Sequence, residues 1–289
     1  MTAGPSAGAA TTGRVAVALV LGAIVSVQAG AAFAKSLFGR VDPTTMVWLR
    51  LASSAVVLLL IARPRLTGRS RRDWLAVLAY AASLVAMNWA IYQSFARIPL
   101  GLAVTIEFLG PLGVAAAMSR GWRDAALALL AGAGVVLLGF SPTDVDWVGV
   151  VYALLAGVGW AGYILVSPWL GRTWRGLDGL GVASTVGALV LAVPAVLADT
   201  PALVQPSVLA AGAAVGLLSS VIPYSLELQA LRTLPPRVFS ILMALEPAVA
   251  AAAAYLLLHE KLSIVDLLAM ACVITASVGV TRAATRRSD

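Results

Sequence analysis

Apolar runs of membrane-crossing length succeed one another along almost the whole chain, separated by short polar breaks. The breaks delimit ten runs, at 15–34, 44–62, 73–93, 100–118, 124–140, 147–168, 179–198, 207–228, 238–257 and 264–281. A helix needs about 20 residues to cross the hydrocarbon layer of a bilayer, and each run is near that length. The pattern predicts an all-α membrane protein of ten transmembrane helices. The first run is too deeply embedded in this array to be a cleaved signal peptide. The small-residue stretch 1–14 reads as a disordered cytoplasmic tail, and 283–289 as a second tail.

A shift of 136 residues lays the second half of the chain over the first. It carries Val15 onto Val151, Pro99 onto Pro235, Pro111 onto Pro247 and Asp124 onto Glu260. The repeats cover 15–141 and 147–282, with five helices each. Five is odd, so the second copy enters the membrane from the opposite side. The expectation is a pair of inverted five-helix repeats with a small-molecule site between them, near the membrane midplane.

Charge placement sets the orientation. With the amino terminus taken as inside, the inner segments hold 15 Lys and Arg residues and the outer segments hold 4, with Arg50 inside a span. That asymmetry predicts both termini in the cytoplasm of a multi-pass inner-membrane protein. The net charge of +7 is thereby a topology signal, and nucleic acid is not expected as a partner. Composition points the same way: 61% hydrophobic residues, 11% charged residues and a mean hydropathy of +0.95 leave no soluble domain of useful size. One cysteine, Cys272, and one histidine, His259, make no metal or iron–sulfur site. No cofactor is expected. No Gly-x-Ser-x-Gly elbow or His/Asp cluster suggests a membrane-embedded enzyme, the remote alternative, and no catalytic residue is assigned.

The candidate chemistry lies in charges and amides inside the runs. Glu107 sits about seven residues into the fourth run, roughly 11 Å along a helix, and Glu246 occupies a similar depth in the ninth. An ionised carboxylate at that depth costs several kcal/mol by most estimates, so each should face a cavity or a partner. Protonation and amine binding are the functional readings; a structural hydrogen bond between helices is the plain one. Pro111, four residues after Glu107, and Pro247, next to Glu246, remove backbone donors and free the carbonyls of Glu107 and Met243. Those carbonyls could receive an ammonium group, or the prolines could serve only to kink helices for packing. Arg50 has three readings: an ion pair with Glu107, a grip on a substrate carboxylate, or a side chain that snorkels to the surface. In the third run Asn88 and Tyr92 share one face, and Trp89 and Gln93 another, as wall or as interface aromatics. Tyr224 and Glu227 share a face of the eighth run, where Glu227 could instead pair with Arg232 or Arg237. Ser26 and Gln28 are weaker candidates for the same wall. Gly132, Gly134 and the alanines of 248–254 suit close helix packing, including a homodimer face.

The strings that carry these residues resemble the EamA transporter family. They are Ile98-Pro99-Leu100-Gly101-Leu102-Ala103-Val104-Thr105-Ile106-Glu107-Phe108-Leu109-Gly110-Pro111, Pro223-Tyr224-Ser225-Leu226-Glu227, Leu245-Glu246-Pro247-Ala248 and Leu258-His259-Glu260. Within the drug/metabolite transporter superfamily the likeness is nearest to the threonine/homoserine exporter branch, and it covers essentially all ten runs. The resemblance implies secondary-active, proton-coupled export of small amino acids across the inner membrane. Its substrate would be threonine, homoserine or a similar zwitterion, with protons and the lipid bilayer as the other partners. The same fold exporting other small metabolites or drugs is the alternative. In the family pattern an acidic residue ends the segment before the fifth helix; Asp124 fills that place and Glu260 is its counterpart, both read as helix caps.

Overall fold

The computed structural model describes residues 7–117, 122–138 and 145–285. Among them every regular element is a helix. The first repeat region holds α1 (Ala7–Ser36), α2 (Pro43–Ala62), α3 (Arg71–Phe95), α4 (Leu100–Glu107), α5 (Leu109–Ala117) and α6 (Trp122–Leu137). The second holds α7 (Trp147–Thr173), α8 (Asp178–Leu203), α9 (Pro206–Gly216), a π turn (Leu217–Val221), α10 (Ile222–Ala230), α11 (Pro236–Met243), α12 (Glu246–Leu258) and α13 (Ile264–Thr285). Eight helical stretches are long and apolar enough to cross a membrane, and the shorter apolar stretches Ala126–Leu137 and Ile264–Gly279 bring the described runs to the ten expected.

Local sequence sets the helix ends. Asp42 accepts a hydrogen bond from the Thr44 amide (2.7 Å), and Pro43 starts α2 where no intrahelical donor is needed. Ser70 and Asp73 form a reciprocal capping box on α3. Ser263 and Asp266 do the same for α13 (2.8 and 3.1 Å). One expectation is corrected at the amino terminus: α1 starts at Ala7, so the stretch read as a disordered tail is helical over its second half.

Two spans break at their centres. Phe108 separates α4 from α5, and Ala244 and Leu245 separate α11 from α12. A shift of 136 residues carries Phe108 onto Ala244. Each break follows the carbonyl that a proline leaves without a donor, Glu107 before Pro111 and Met243 before Pro247. The π turn interrupts the span of α9 and α10 at a similar depth.

The bundle has an apolar skin and a largely apolar core in which a few polar and charged side chains are buried. Leu60, Leu129, Leu189, Leu197, Leu256 and Ile264 present their side chains outward, while Arg50, Asn88, Glu107 and Glu246 are buried. An apolar exterior with its charged groups turned inward is what lipid surroundings demand. The chief packing partners join the two halves: α1 with α10 and α12, α2 with α8, α3 with α7, α4 with α12, and α6 with α13. Small residues permit the closest crossings. A Cβ on Gly101 would come within 2.9 Å of the Ala251 Cα, so α4 and α12 cross almost backbone to backbone. Gly134 of α6 meets α13 at Ala269 and Cys272, whereas Gly132 faces nothing within 4 Å.

Candidate functional site

A cavity of about 580 Å³ opens between the broken helices, within the size range usual for small-molecule sites. Residues from both halves line it. The first half contributes Gln28 (α1), Arg50 (α2), Asn88 (α3), Glu107 (α4) and Pro111 (α5). The second contributes Trp160 and Tyr163 (α7), Ser219 (π turn), Tyr224 and Glu227 (α10), Glu246 (α12) and Ser277 (α13). Arg50, Glu107 and Glu246 are only 7–8% exposed, and all three charge-bearing residues line the one cavity.

Arg50 is held rather than free. Its Nε donates to Ser220 Oγ (3.1 Å) and its Nη2 to the Ser219 carbonyl (2.9 Å), both on the π turn. Ser54, one turn along α2, donates to the Arg50 carbonyl (2.6 Å). The guanidinium also lies 5.7 Å from the centre of the Tyr92 ring. Of the three readings, snorkelling is excluded by this burial. No ion pair with Glu107 closes either: among the described residues the ion pair found is Lys35–Glu260.

The third helix presents a different face from the one expected. Met87, Asn88, Ile91 and Phe95 line the cavity. Tyr92 points away from it, fully buried between Phe38 (ring centres 5.9 Å apart) and Phe95 (5.6 Å). Trp89 is turned towards Thr44, to which its Nε1 donates (3.3 Å), and its ring meets Tyr152 edge-on. The reason is helical phase: Asn88 and Ile91 straddle the cavity axis, which leaves 89 and 92 on the flanks. Pro247 is buried but outside the lining, whereas Pro111 is part of it.

The carbonyl freed at Glu107 faces protein. A Cβ on Gly157 of α7 would approach that oxygen to 2.8 Å, so glycine lets α7 lie directly against the break. The aromatic lining was not anticipated. Trp160 packs edge-on against Phe108 (4.9 Å), and Tyr163 rests 4.7 Å from the Tyr80 ring. Their signal was present in the sequence, since Trp160, Tyr163 and Ile164 recur at helical spacing in mid-span, away from any interface belt.

Glu260 caps a helix amino terminus, as read from the sequence, and the helix is in the other half: its carboxylate accepts from the Leu100 amide (2.8 Å) at the start of α4. Lys35, at the end of α1, pairs with Glu260 and donates to the Ile98 carbonyl (2.7 Å). The first turn of α13 is served by Ser263 and Asp266 instead. The side chain of Asp124 lies outside the described residues.

A bundle of discontinuous helices with an apolar skin and a solute-sized cavity into which a few polar and charged side chains project is the architecture of a small-molecule transporter. Comparison with known proteins gives the family. Residues 147–282 match the EamA-like transporter family. The threonine/homoserine exporter RhtA of Escherichia coli (strain K12) is 38% identical over 268 residues, covering 92% of this chain and 90% of that protein. The Salmonella typhimurium (strain LT2) protein of the same name is 38% identical over 266 residues, covering 91% and 90%. A solved crystal structure with 20% identity shares the fold, with a TM-score of 0.65 over 95% of this chain and 99% of the other. The chain belongs to the EamA-like transporter family, in its threonine/homoserine exporter branch.

Proposed function

We propose that this protein exports threonine, homoserine or closely similar amino acids across the inner membrane, by proton-coupled alternating access. One observation carries the reading: Glu107 from the first half and Glu246 from the second face the same cavity as Arg50. A guanidinium is suited to a substrate carboxylate, and two buried carboxyl groups are suited to an ammonium group and a proton. Names of relatives that cover nine-tenths of the chain support the substrate class.

The packing supports an inverted pair of repeats. Exchanging the halves turns the contact of α3 with α7 into that of α1 with α9, the π turn and α10, turns α1–α12 into α7–α5, and returns α2–α8 and α6–α13 to themselves. The matched breaks at Phe108 and Ala244 fit the same symmetry. The cavity reaches Leu231, Ser240 and Ser277, towards the bundle end where α10 gives way to α11. The opposite end is tied by Lys35, Glu260 and the backbone at Ile98 and Leu100. With both termini cytoplasmic, this is an inward-facing arrangement closed on the outside.

The test is efflux of preloaded radiolabelled threonine and homoserine from cells producing the wild type or Glu107→Gln. The expected result is export that collapses with an uncoupler and is lost in the variant. Absence of export above an empty vector overturns the substrate class, and undiminished export by Glu107→Gln removes Glu107 from the coupling step.

A further inference from the structure

The span of α9 and α10 is broken by a π turn that the other half of the chain holds in place. Pro223 follows the turn and has no amide proton. The carbonyl four residues back in α register (Ser219), or five back in π register (Leu218), therefore lacks its usual donor. Side chains of the first half serve both. Ser26 of α1 donates to the Leu218 carbonyl (2.7 Å), and Nη2 of Arg50 on α2 donates to the Ser219 carbonyl (2.9 Å). Bonds from Arg50 Nε to Ser220 Oγ (3.1 Å) and from Ser54 Oγ to the Gly216 carbonyl (3.2 Å) complete the hold. The approach is close: a Cβ on Gly216 would come within 2.9 Å of the Arg50 carbonyl, and one on Gly30 of α1 within 2.9 Å of the Leu218 Cβ. The first half has no such joint. A shift of 136 residues carries Met87 onto Pro223, and α3 runs unbroken through it.

Arg50 stands where two demands meet. It supplies the donor that the turn lacks from its own helix, and it lines the cavity shared with Glu107 and Glu246. Its Nε and Nη2 are engaged, whereas Nη1 has no protein partner among the described residues and is not one of the sealed, unpartnered atoms of the interior. Guanidinium and carboxylate pair through two parallel bonds, and a charged acceptor outbids a neutral carbonyl. A carboxylate that reaches Nη1 thus competes for Nη2 as well. Once the fork turns to it, the Ser219 carbonyl is served neither by Pro223 nor by Arg50. A buried carbonyl left so is costly, which favours rearrangement of the turn.

We propose that Arg50 is a latch on this joint: it holds the π turn in the empty protein, and a substrate carboxylate that draws the guanidinium away frees the turn to move. The proposal rests on the exporter reading and deepens it, because the substrate's own carboxylate becomes the trigger of the conformational step. Towards the turn Arg50 is a positioning residue.

The experiment is hydrogen–deuterium exchange of the backbone amides of residues 217–224, read by mass spectrometry on the purified full-length protein. A ligand ordinarily slows exchange by stabilising the state it binds. Here saturating threonine is expected to speed it about tenfold, as for loss of a hydrogen bond from a charged group. Threonine methyl ester, which lacks the carboxylate, is expected to leave it unchanged. Pro223→Ala returns an amide donor to the turn and is expected to cancel the speeding while threonine still binds. Without ligand, Ser220→Ala is expected to speed exchange in this segment. Unchanged or slowed exchange in a wild type that binds threonine overturns the latch. Speeding that persists in Pro223→Ala, or that the methyl ester reproduces, overturns it too, as does a Ser220→Ala protein that exchanges like the wild type. A wild type that binds neither radiolabelled threonine nor homoserine overturns the exporter reading and the trigger with it; Ser220→Ala without ligand then still decides whether Arg50 holds the turn.

Discussion

At the scale of single residues, charge and depth were enough to find the cavity, but helical phase was not. Arg50, Asn88, Glu107, Tyr224, Glu227 and Glu246 were singled out because polar groups inside apolar runs are costly, and all six line one space. Trp89 and Tyr92 were grouped with them by spacing alone, and a turn of roughly 100° per residue puts them on the flanks. The two bonds from Arg50 to the π turn could not be foreseen, because nothing local ties residue 50 to residues 219 and 220. They make the arginine irreplaceable by another cation. Lysine offers a point charge in place of a fork and cannot hold Ser220 and the Ser219 carbonyl in the same way. Arg50→Lys is expected to raise the KM for threonine efflux about tenfold or more, in line with losing a charged hydrogen bond, at unchanged protein abundance measured by immunoblot.

At the scale of the helix, proline positions were the most legible feature and glycine positions the least. Pro111 and Pro247 marked both breaks, each four residues after the carbonyl it leaves without a donor, whereas Pro168 and Pro194 lie inside helices that continue through them. Which glycines matter depends on what another segment brings to them. Within α7, Gly157 faces the Glu107 carbonyl at 2.8 Å from an added Cβ, and Gly171 faces nothing within 4 Å. Helix propensity alone predicts that alanine stabilises at either site, by up to about 1 kcal/mol. Packing reverses the sign at Gly157, where forcing the helices apart costs about 1–3 kcal/mol. Gly157→Ala is expected to lower the thermal midpoint of the detergent-purified protein, and Gly171→Ala to leave it unchanged or raise it. Equal shifts for the two would show that α7 does not press on the break.

At the scale of the whole molecule, the number of runs and their apolar skin were readable, because lipid imposes composition and length directly. The tie across the far end was not, since it joins Lys35 to residues 98, 100 and 260 through folding alone. If that tie closes the outer side, cutting it should expose the cavity there. A cysteine placed at Ala31, on the cavity lining, in a Cys272→Ser background should react faster with an impermeant thiol reagent added outside intact cells once Glu260→Gln is introduced. An unchanged rate would place the outer closure elsewhere. The pairing of every major helix contact across the halves also has a consequence for biosynthesis. Arg50 leaves the ribosome 169 residues ahead of the carbonyl that holds it, an interval of roughly ten to thirty seconds at ordinary elongation rates. Throughout it the nascent first half rests in the bilayer with its guanidinium and its Glu107 carboxyl unprovided for. A message that ends early thus yields an inserted but unassembled fragment, marked for membrane proteolysis by the polar groups that the complete chain conceals.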